Sequence, residues 1–135
     1  MPGSHELLAR LDRQSVPWAI ATSGNMRTAG PSIELLGVKP KVVITRDDVV
    51  HAKPDPDLFL AAAARLGVEI TSSIVFGDSV WDLLAAQRAR ALGVGLLSGG
   101  YGREELQQAG AYRVYEDPRD LLVHLDEVGV REAAG

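Results

Sequence analysis

The chain has 135 residues, of which 46% are hydrophobic and 24% charged, and its formal net charge is -4. These values are typical of one globular domain spanning 1–135, and an acidic chain with 5% aromatic residues is poorly suited to nucleic acid. Cysteine is absent, which excludes disulfides and a cysteine nucleophile and is consistent with a cytoplasmic protein. No apolar run approaches the roughly 18 residues of a membrane span, so we expect no membrane partner.

The first half of the chain predicts two buried strands separated by helices. The strands are the apolar runs 16–22 and 41–45, the second rich in β-branched residues. Helices are predicted over 6–14, over 24–38 with Pro31 as its start or break and Gly37 as its stop, and over 56–67 with Asp55 as its N-cap.

The second half continues the alternation. Strands are predicted over 72–77, 94–100 and 112–117, and helices over 80–93, 103–110 and 118–129. The strands are continuously apolar, which is typical of a parallel sheet covered by helices on both faces. The expected fold is therefore an α/β domain of Rossmann-like architecture.

Polar side chains follow three of the predicted strands, where parallel sheets bind ligands. Thr22, Ser23 and Gly24 follow the first strand, Lys53 lies in the loop after the second, and Asp78 follows the third. A hydroxyl and free backbone N–H groups can hold phosphate oxygens, and a lysine adds a compensating charge. A carboxylate can hold Mg²⁺ beside the phosphate. This edge of the sheet is a candidate phosphate and cation site.

Several of these residues also have simpler interpretations. Asp78 and Asp82 stand where a helix begins, and acids there are favoured by the helix dipole. Thr22 and Ser23 could cap a helix, and Lys53 alone is typical of a solvated surface residue. Only the combination of a hydroxyl, a lysine and a carboxylate at one edge favours a site.

The aromatic and histidine residues give weaker signals. Trp18 and Trp81 flank the candidate segments, and core packing is the expected role of both. His5, His51 and His124 have no spacing typical of a metal site, so we expect them to be structural or exposed.

Three segments in order resemble the haloacid dehalogenase-like (HAD) hydrolases, especially their phosphatase and phosphomutase branch. "WAIATSGN" is similar to the second motif of that family, "AKPDPDLFLAAAARLG" to the third, and "GDSVWD" to the fourth. The resemblance implies that Thr22 binds the transferring phosphoryl group with backbone N–H groups of residues 23–24, and that Lys53 neutralises phosphate charge. It implies that Asp78 binds Mg²⁺ and that Asp82 supports it by holding a metal-bound water or Lys53.

The first motif of the family, an Asp-x-Asp that ends a central strand and supplies the nucleophile, has no match. The only Asp-x-Asp is Asp55-Pro-Asp57, which belongs to the lysine segment. The resemblance therefore implies a truncated core without cap or nucleophile, inactive alone. Without the central strand, we expect strands 16–22 and 72–77 to close up directly, or another chain to fill the gap as a homodimer or by strand exchange.

Three functions remain open. The first is an Mg²⁺-dependent phosphatase acting on a phosphorylated small molecule, as the resemblance implies. The second is a non-catalytic phosphate- or metal-binding or protein-interaction module. The third, a receiver-like domain that shares only the architecture, is disfavoured because no acid cluster surrounds a phosphorylatable aspartate.

Overall fold

Six α-helices and five short strands alternate along residues 3–130, the part of the chain that the computed structural model describes. The helices are α1 (Ser4–Arg13), α2 (Met26–Glu34), α3 (Asp57–Leu66), α4 (Val80–Ala89), α5 (Arg103–Gln108) and α6 (Pro118–Val123). The strands are β1 (Ile20–Ala21), β2 (Val43–Ile44), β3 (Ile74–Gly77), β4 (Leu92–Leu96) and β5 (Arg113–Tyr115). Within this range no helix is long and apolar enough to cross a membrane.

All strand pairs are parallel, which confirms the predicted α/β class. Pairing of β3 with β4 and of β4 with β5 forms a three-stranded sheet, in which Val75 lies opposite Gly93. Strands β1 and β2 form a separate two-stranded sheet, with Ile20 opposite Val43. The structure therefore contains two separate sheets, whereas the strand pattern predicted a single sheet.

The two sheets do not join, because β1 and β3 form no ladder within residues 3–130. An apolar cavity of about 860 Å³, which we call the slot, is lined by both strands and by α1 and α3. Helix α3 packs against β1, β2 and α4, and its Phe59 belongs to the apolar cluster that contains Val75 of β3, so the helix bridges the two sheets. The expectation that these two strands close up directly is therefore wrong, and α1 shows that residues 4–13 do not supply the missing strand.

Helices cover both faces of the three-stranded sheet, as expected. On one face, Val94 and Leu96 of β4 pack with Leu7 of α1 and Leu121 of α6. On the other face, buried residues of α4, of α5 and the position after it, and of β5 pack together: Leu83, Leu106, Ala109 and Val114. This double cover fixes the carboxyl ends of the strands, where the candidate residues lie.

Helix α4 and strand β4 are offset from their predicted positions. The helix ends at Ala89 rather than Gly93, because Arg90 adopts the left-handed conformation at φ 66° and closes the helix. Gly93 lies inside β4, which runs from Leu92 to Leu96 rather than over 94–100. A Cβ at Gly93 would approach Leu83 to 3.1 Å, so the glycine allows β4 to pack closely under α4.

The predicted helix caps are also corrected. Asn25 caps α2 by accepting a hydrogen bond from the Thr28 N–H at 3.0 Å, so neither Thr22 nor Ser23 caps this helix. Helix α2 continues through Pro31. At α3 the capping position is occupied by Pro56, and no side chain bonds the helix start, so the predicted Asp55 cap is wrong.

Candidate active site

A pocket of about 540 Å³ lies at the carboxyl ends of β1 and β3. Its lining includes Thr22, Ser23, Lys53, Asp78 and Asp82, which come from three separate parts of the sequence. The structure thus brings five of the six candidate residues together.

Lys53 and Asp82 form an ion pair across this pocket. Lys53 Nζ lies 2.5 Å from Asp82 Oδ1, and the two side chains are 13% and 12% exposed. The ammonium also lies 5.4 Å from the centre of the Phe59 ring, within the range of a cation–π contact. Asp82 therefore holds the lysine at the pocket wall and compensates much of its charge.

The second oxygen of Asp82 is used as well. Asp82 Oδ2 accepts a hydrogen bond from the Asp78 backbone N–H at 3.2 Å, and Ser79 Oγ accepts one from the Asp82 N–H at 3.2 Å. Ser79 is thus the residue that caps α4, and Asp82 links the helix start to Lys53 and to the Asp78 backbone. A Cβ at Gly77 would lie 2.9 Å from Asp82 Oδ2, so this arrangement requires glycine there.

Asp78 stands apart from these contacts. It is half-buried, and its carboxylate makes no hydrogen bond or ion pair with another residue in the described range 3–130. The loop after β4 packs onto it, since a Cβ at Gly99 would lie 2.8 Å from Asp78 Cβ. An unpaired carboxylate oxygen in a polar pocket is a donor that suits Mg²⁺, which usually takes one or two carboxylates together with water and phosphate oxygens.

The segment after β1 places a hydroxyl at the pocket. Thr22 continues the β1–β2 pairing, since its N–H donates to Ile44 O at 2.9 Å. Its Oγ1 accepts a hydrogen bond from the Gly24 N–H at 3.1 Å, which leaves the hydroxyl proton of Thr22 to donate to a ligand. Gly24 lies outside the pocket lining, and its N–H is directed to Thr22, whereas Ser23 is exposed at the rim.

The structure also contains an acidic cluster that was not predicted from the sequence. Ligand atoms of His51, Asp55 and Asp57 lie within 4.8 Å of one another, because the loop before α3 folds back on itself. His51 Nδ1 is 3.1 Å from Asp57 Oδ2, and hydrogen bonding between the carboxyl groups of Asp55 and Asp57, followed by that with His51, holds the pKa of Asp57 below its ordinary value. The only signal in the sequence was a histidine closely followed by two aspartates. None of the three lines the pocket.

The prediction for Trp81 was wrong. We expected it in the core, but 51% of its surface is exposed, and it lines the pocket beside Asp78 and Asp82.

The chain belongs to the haloacid dehalogenase-like hydrolases, since the sequence model of that family matches residues 1–90. It is 41% identical over 96 residues to validoxylamine A 7'-phosphate phosphatase of Streptomyces hygroscopicus subsp. limoneus, which covers 70% of this chain and 45% of that protein. It is 30% identical over 128 residues to N-acetylmuramic acid 6-phosphate phosphatase of Pseudomonas aeruginosa, covering 92% of this chain and 56% of that protein.

The fold matches solved structures equally well. The crystal structure of a hydrolase from Pseudomonas syringae superposes with a TM-score of 0.93 at 55% identity, covering 96% of this chain and 61% of that one. The chain spans about half the length of the curated relatives it matches, with 45% and 56% of those two covered.

Proposed function

We propose that this chain carries the phosphate- and magnesium-binding part of a phosphoric-monoester hydrolase that acts on a phosphorylated small molecule. The observation that carries the proposal is the convergence of Thr22, Lys53 and Asp78 on one pocket at the carboxyl ends of the strands. The names of the relatives, phosphatases of organic phosphates, support the same class of substrate.

In this proposal each side chain has a distinct role. The Thr22 hydroxyl donates to a phosphate oxygen, and Lys53 provides a positive charge beside the phosphate. Asp82 fixes the position of Lys53 through their 2.5 Å contact. Asp78 would hold Mg²⁺, which when bound supplies positive charge to the phosphate oxygens.

The same geometry gives a reason to expect little turnover by this chain alone. Among the described residues, the pocket is lined by two carboxylates, Asp78 and Asp82. Asp82 is bound to Lys53 and to the Asp78 N–H, and Asp78 is the proposed metal ligand. Neither is then available to attack phosphorus as a nucleophile.

The test has two parts. Hydrolysis of an aryl phosphate with Mg²⁺ should stay at background, whereas calorimetry should detect binding of inorganic phosphate. Lys53→Met should weaken that binding about tenfold or more, as expected for a lost charge-assisted contact, and Lys39→Met, which changes an exposed lysine elsewhere, should not. Rapid turnover that Asp78→Asn abolishes would show that the nucleophile lies in this chain, and equal phosphate binding by all three proteins would contradict the site.

The slot favours a second function, and we propose that it accepts a strand from a second copy of the chain. Ile20 and Thr22 direct their N–H groups to β2, at 3.1 and 2.9 Å from their acceptors. Because N–H groups alternate sides along a strand, the Ala21 N–H faces the slot. The slot thus has an apolar lining and, at β1, a backbone edge open to pairing, and strand addition requires both features.

Light scattering and amide hydrogen exchange test this second function. Self-association should slow the exchange of the Ala21 amide toward the rates of Ile20 and Thr22, which are bonded within the chain and serve as controls. A chain that stays monomeric at millimolar concentration, with Ala21 still exchanging rapidly, would contradict strand addition.

A further inference from the structure

Trp81 exposes a large apolar ring inside the candidate pocket. It is 51% exposed, whereas Phe59 and Leu96, which line the same pocket, are 8% and 5% exposed. The surfaces of those two residues are already buried in the core. Trp81 is therefore the lining residue with the most apolar surface left for a ligand.

The packing of α4 fixes the direction in which position 81 faces. Leu83 and Ala86, on the side of the helix opposite Trp81, are buried at 1% and 0% exposure. Ser79 caps the helix start, and Asp82 ties it to Lys53. The helix cannot rotate to bury Trp81 without breaking these contacts, so residue 81 stays on the exposed side of the helix, beside the pocket.

The charges of the pocket restrict what can lie against that ring. Among the described residues of the lining, Lys53 is the only cation, and it is paired with Asp82. With Mg²⁺ at Asp78, the positive charges of the ion and Lys53 are already offset by Asp78, Asp82 and the phosphate group. A second anionic group on a ligand would therefore lack a counter-charge among the lining residues, which is costly in a partly buried site. A neutral group rich in C–H bonds would instead pack on the indole ring, while its hydroxyls stay in water.

We propose that Trp81 is a specificity residue that packs against the C–H face of a neutral cyclic polyol or sugar whose phosphate lies at Thr22 and Lys53. The inference rests on the proposed phosphate site and adds the class of its organic part. It predicts that the pocket binds phosphate esters more weakly when they carry a carboxylate next to the ester group.

Calorimetry with three probes, each with Mg²⁺, tests the inference. Glucose 6-phosphate should bind more tightly than phosphoglycolate. Trp81→Ala should weaken glucose 6-phosphate on the order of tenfold, as expected for lost apolar contact, and change inorganic phosphate by less than about twofold. Trp81→Phe, which keeps a ring, should restore most of the affinity. Tyr112→Ala is the matched control, because Tyr112 is 56% exposed and lies outside the pocket.

Fluorescence gives a second readout that does not depend on the alanine variant folding. In Trp18→Phe, Trp81 is the only tryptophan, and glucose 6-phosphate should change its emission much more than inorganic phosphate does. Equal effects of Trp81→Ala on both ligands, or equal emission changes, would overturn the inference and leave the phosphate site intact. Failure of the unaltered chain to bind either ligand would overturn the phosphate site and the inference with it.

Discussion

Lys53 Nζ lies 2.5 Å from Asp82 Oδ1, and this ion pair joins residues 29 positions apart in the sequence. It connects the loop after β2 to the start of α4 across the candidate pocket. We expect Asp82→Ala to lower the free energy of unfolding by about 2–4 kcal/mol, because it leaves a largely buried ammonium without its partner. Urea denaturation measures this loss.

The matched control for this variant is Asp47→Ala, which removes an exposed aspartate and should change stability by about 0.5 kcal/mol or less. In the double variant Lys53→Met, Asp82→Ala, the loss should be smaller than the sum of the two single losses, since neither charge is then left unpaired. Strict additivity would show that the ion pair contributes no coupling.

Gly77 allows Asp82 to approach the end of β3. A Cβ there would lie 2.9 Å from Asp82 Oδ2 and even closer to Asp82 Cβ, so Gly77→Ala should displace the carboxylate and cost about 1–3 kcal/mol. Phosphate affinity should fall with it, because Lys53 loses its support. Gly30→Ala is the control: Gly30 lies within α2, and outside its chain neighbours and the helix backbone no atom lies within 4 Å of the new Cβ, so the change should stabilise by about 0.5–1 kcal/mol. A Gly77→Ala protein as stable as the parent would contradict the close packing.

Much of the fold could be predicted from the sequence because its signals are local. The apolar run 72–77 and the glycine after Leu66 predicted the end of β3 and the end of α3 correctly, although β3 begins only at Ile74. The end of α4 was missed because Arg90, rather than a glycine, takes the left-handed conformation, and non-glycine residues rarely do so. The missing first motif indicated that no central strand would lie between β1 and β3, but not that the space would stay open. That depends on the tertiary packing of Phe59 of α3 with Val75 of β3 and Ala21 of β1, which no local pattern encodes.

The candidate site was predictable for a related reason. Parallel strands carry their carboxyl ends to one edge, so Thr22, Lys53 and Asp78 could be placed together because each follows a predicted strand. The partners of Asp82 could not be chosen in advance, since a bond to Lys53 and a bond to a metal-bound water were both consistent with the sequence. The exposure of Trp81 was missed because it is set by the rotation of α4, fixed by buried residues on the opposite side.

Magnesium binding distinguishes the two acidic regions of the chain. With phosphate present, Asp78→Asn should weaken Mg²⁺ binding about tenfold or more, because it removes the unpaired carboxylate of the pocket. Asp57→Asn, in the cluster with His51 and Asp55, should leave that binding unchanged. Calorimetric titration with Mg²⁺ measures both. The opposite order of effects would move the metal site to the loop before α3.

His124 gives a pH dependence that is separate from the site. Its Nδ1 lies 2.8 Å from the Asp120 backbone carbonyl, and this hydrogen bond, followed by nearby acidic groups, raises the pKa of His124 above its ordinary 6.5. The folded state therefore binds the proton more tightly than the unfolded chain. This stabilisation is complete below pH 6.5 and is lost as the pH rises through the folded-state pKa.

Two measurements check this prediction. An NMR titration of the His124 ring should give a midpoint above 6.5. Between about pH 6 and 8 the free energy of unfolding of the parent should fall as His124 loses its proton. In His124→Gln this contribution to the fall should be absent. A midpoint at or below the ordinary value, or the same pH dependence in both proteins, would contradict the assignment.

The central claim is that Thr22, Lys53 and Asp78 form one phosphate site, and amide chemical-shift mapping tests it most directly. Adding inorganic phosphate and Mg²⁺ to the labelled chain should shift the amides of residues 22–24, 53 and 78–82, and Lys53→Met should reduce these shifts strongly at the same subsaturating ligand concentration. Shifts confined to residues 51–57, or shifts that persist unchanged in Lys53→Met, would contradict it.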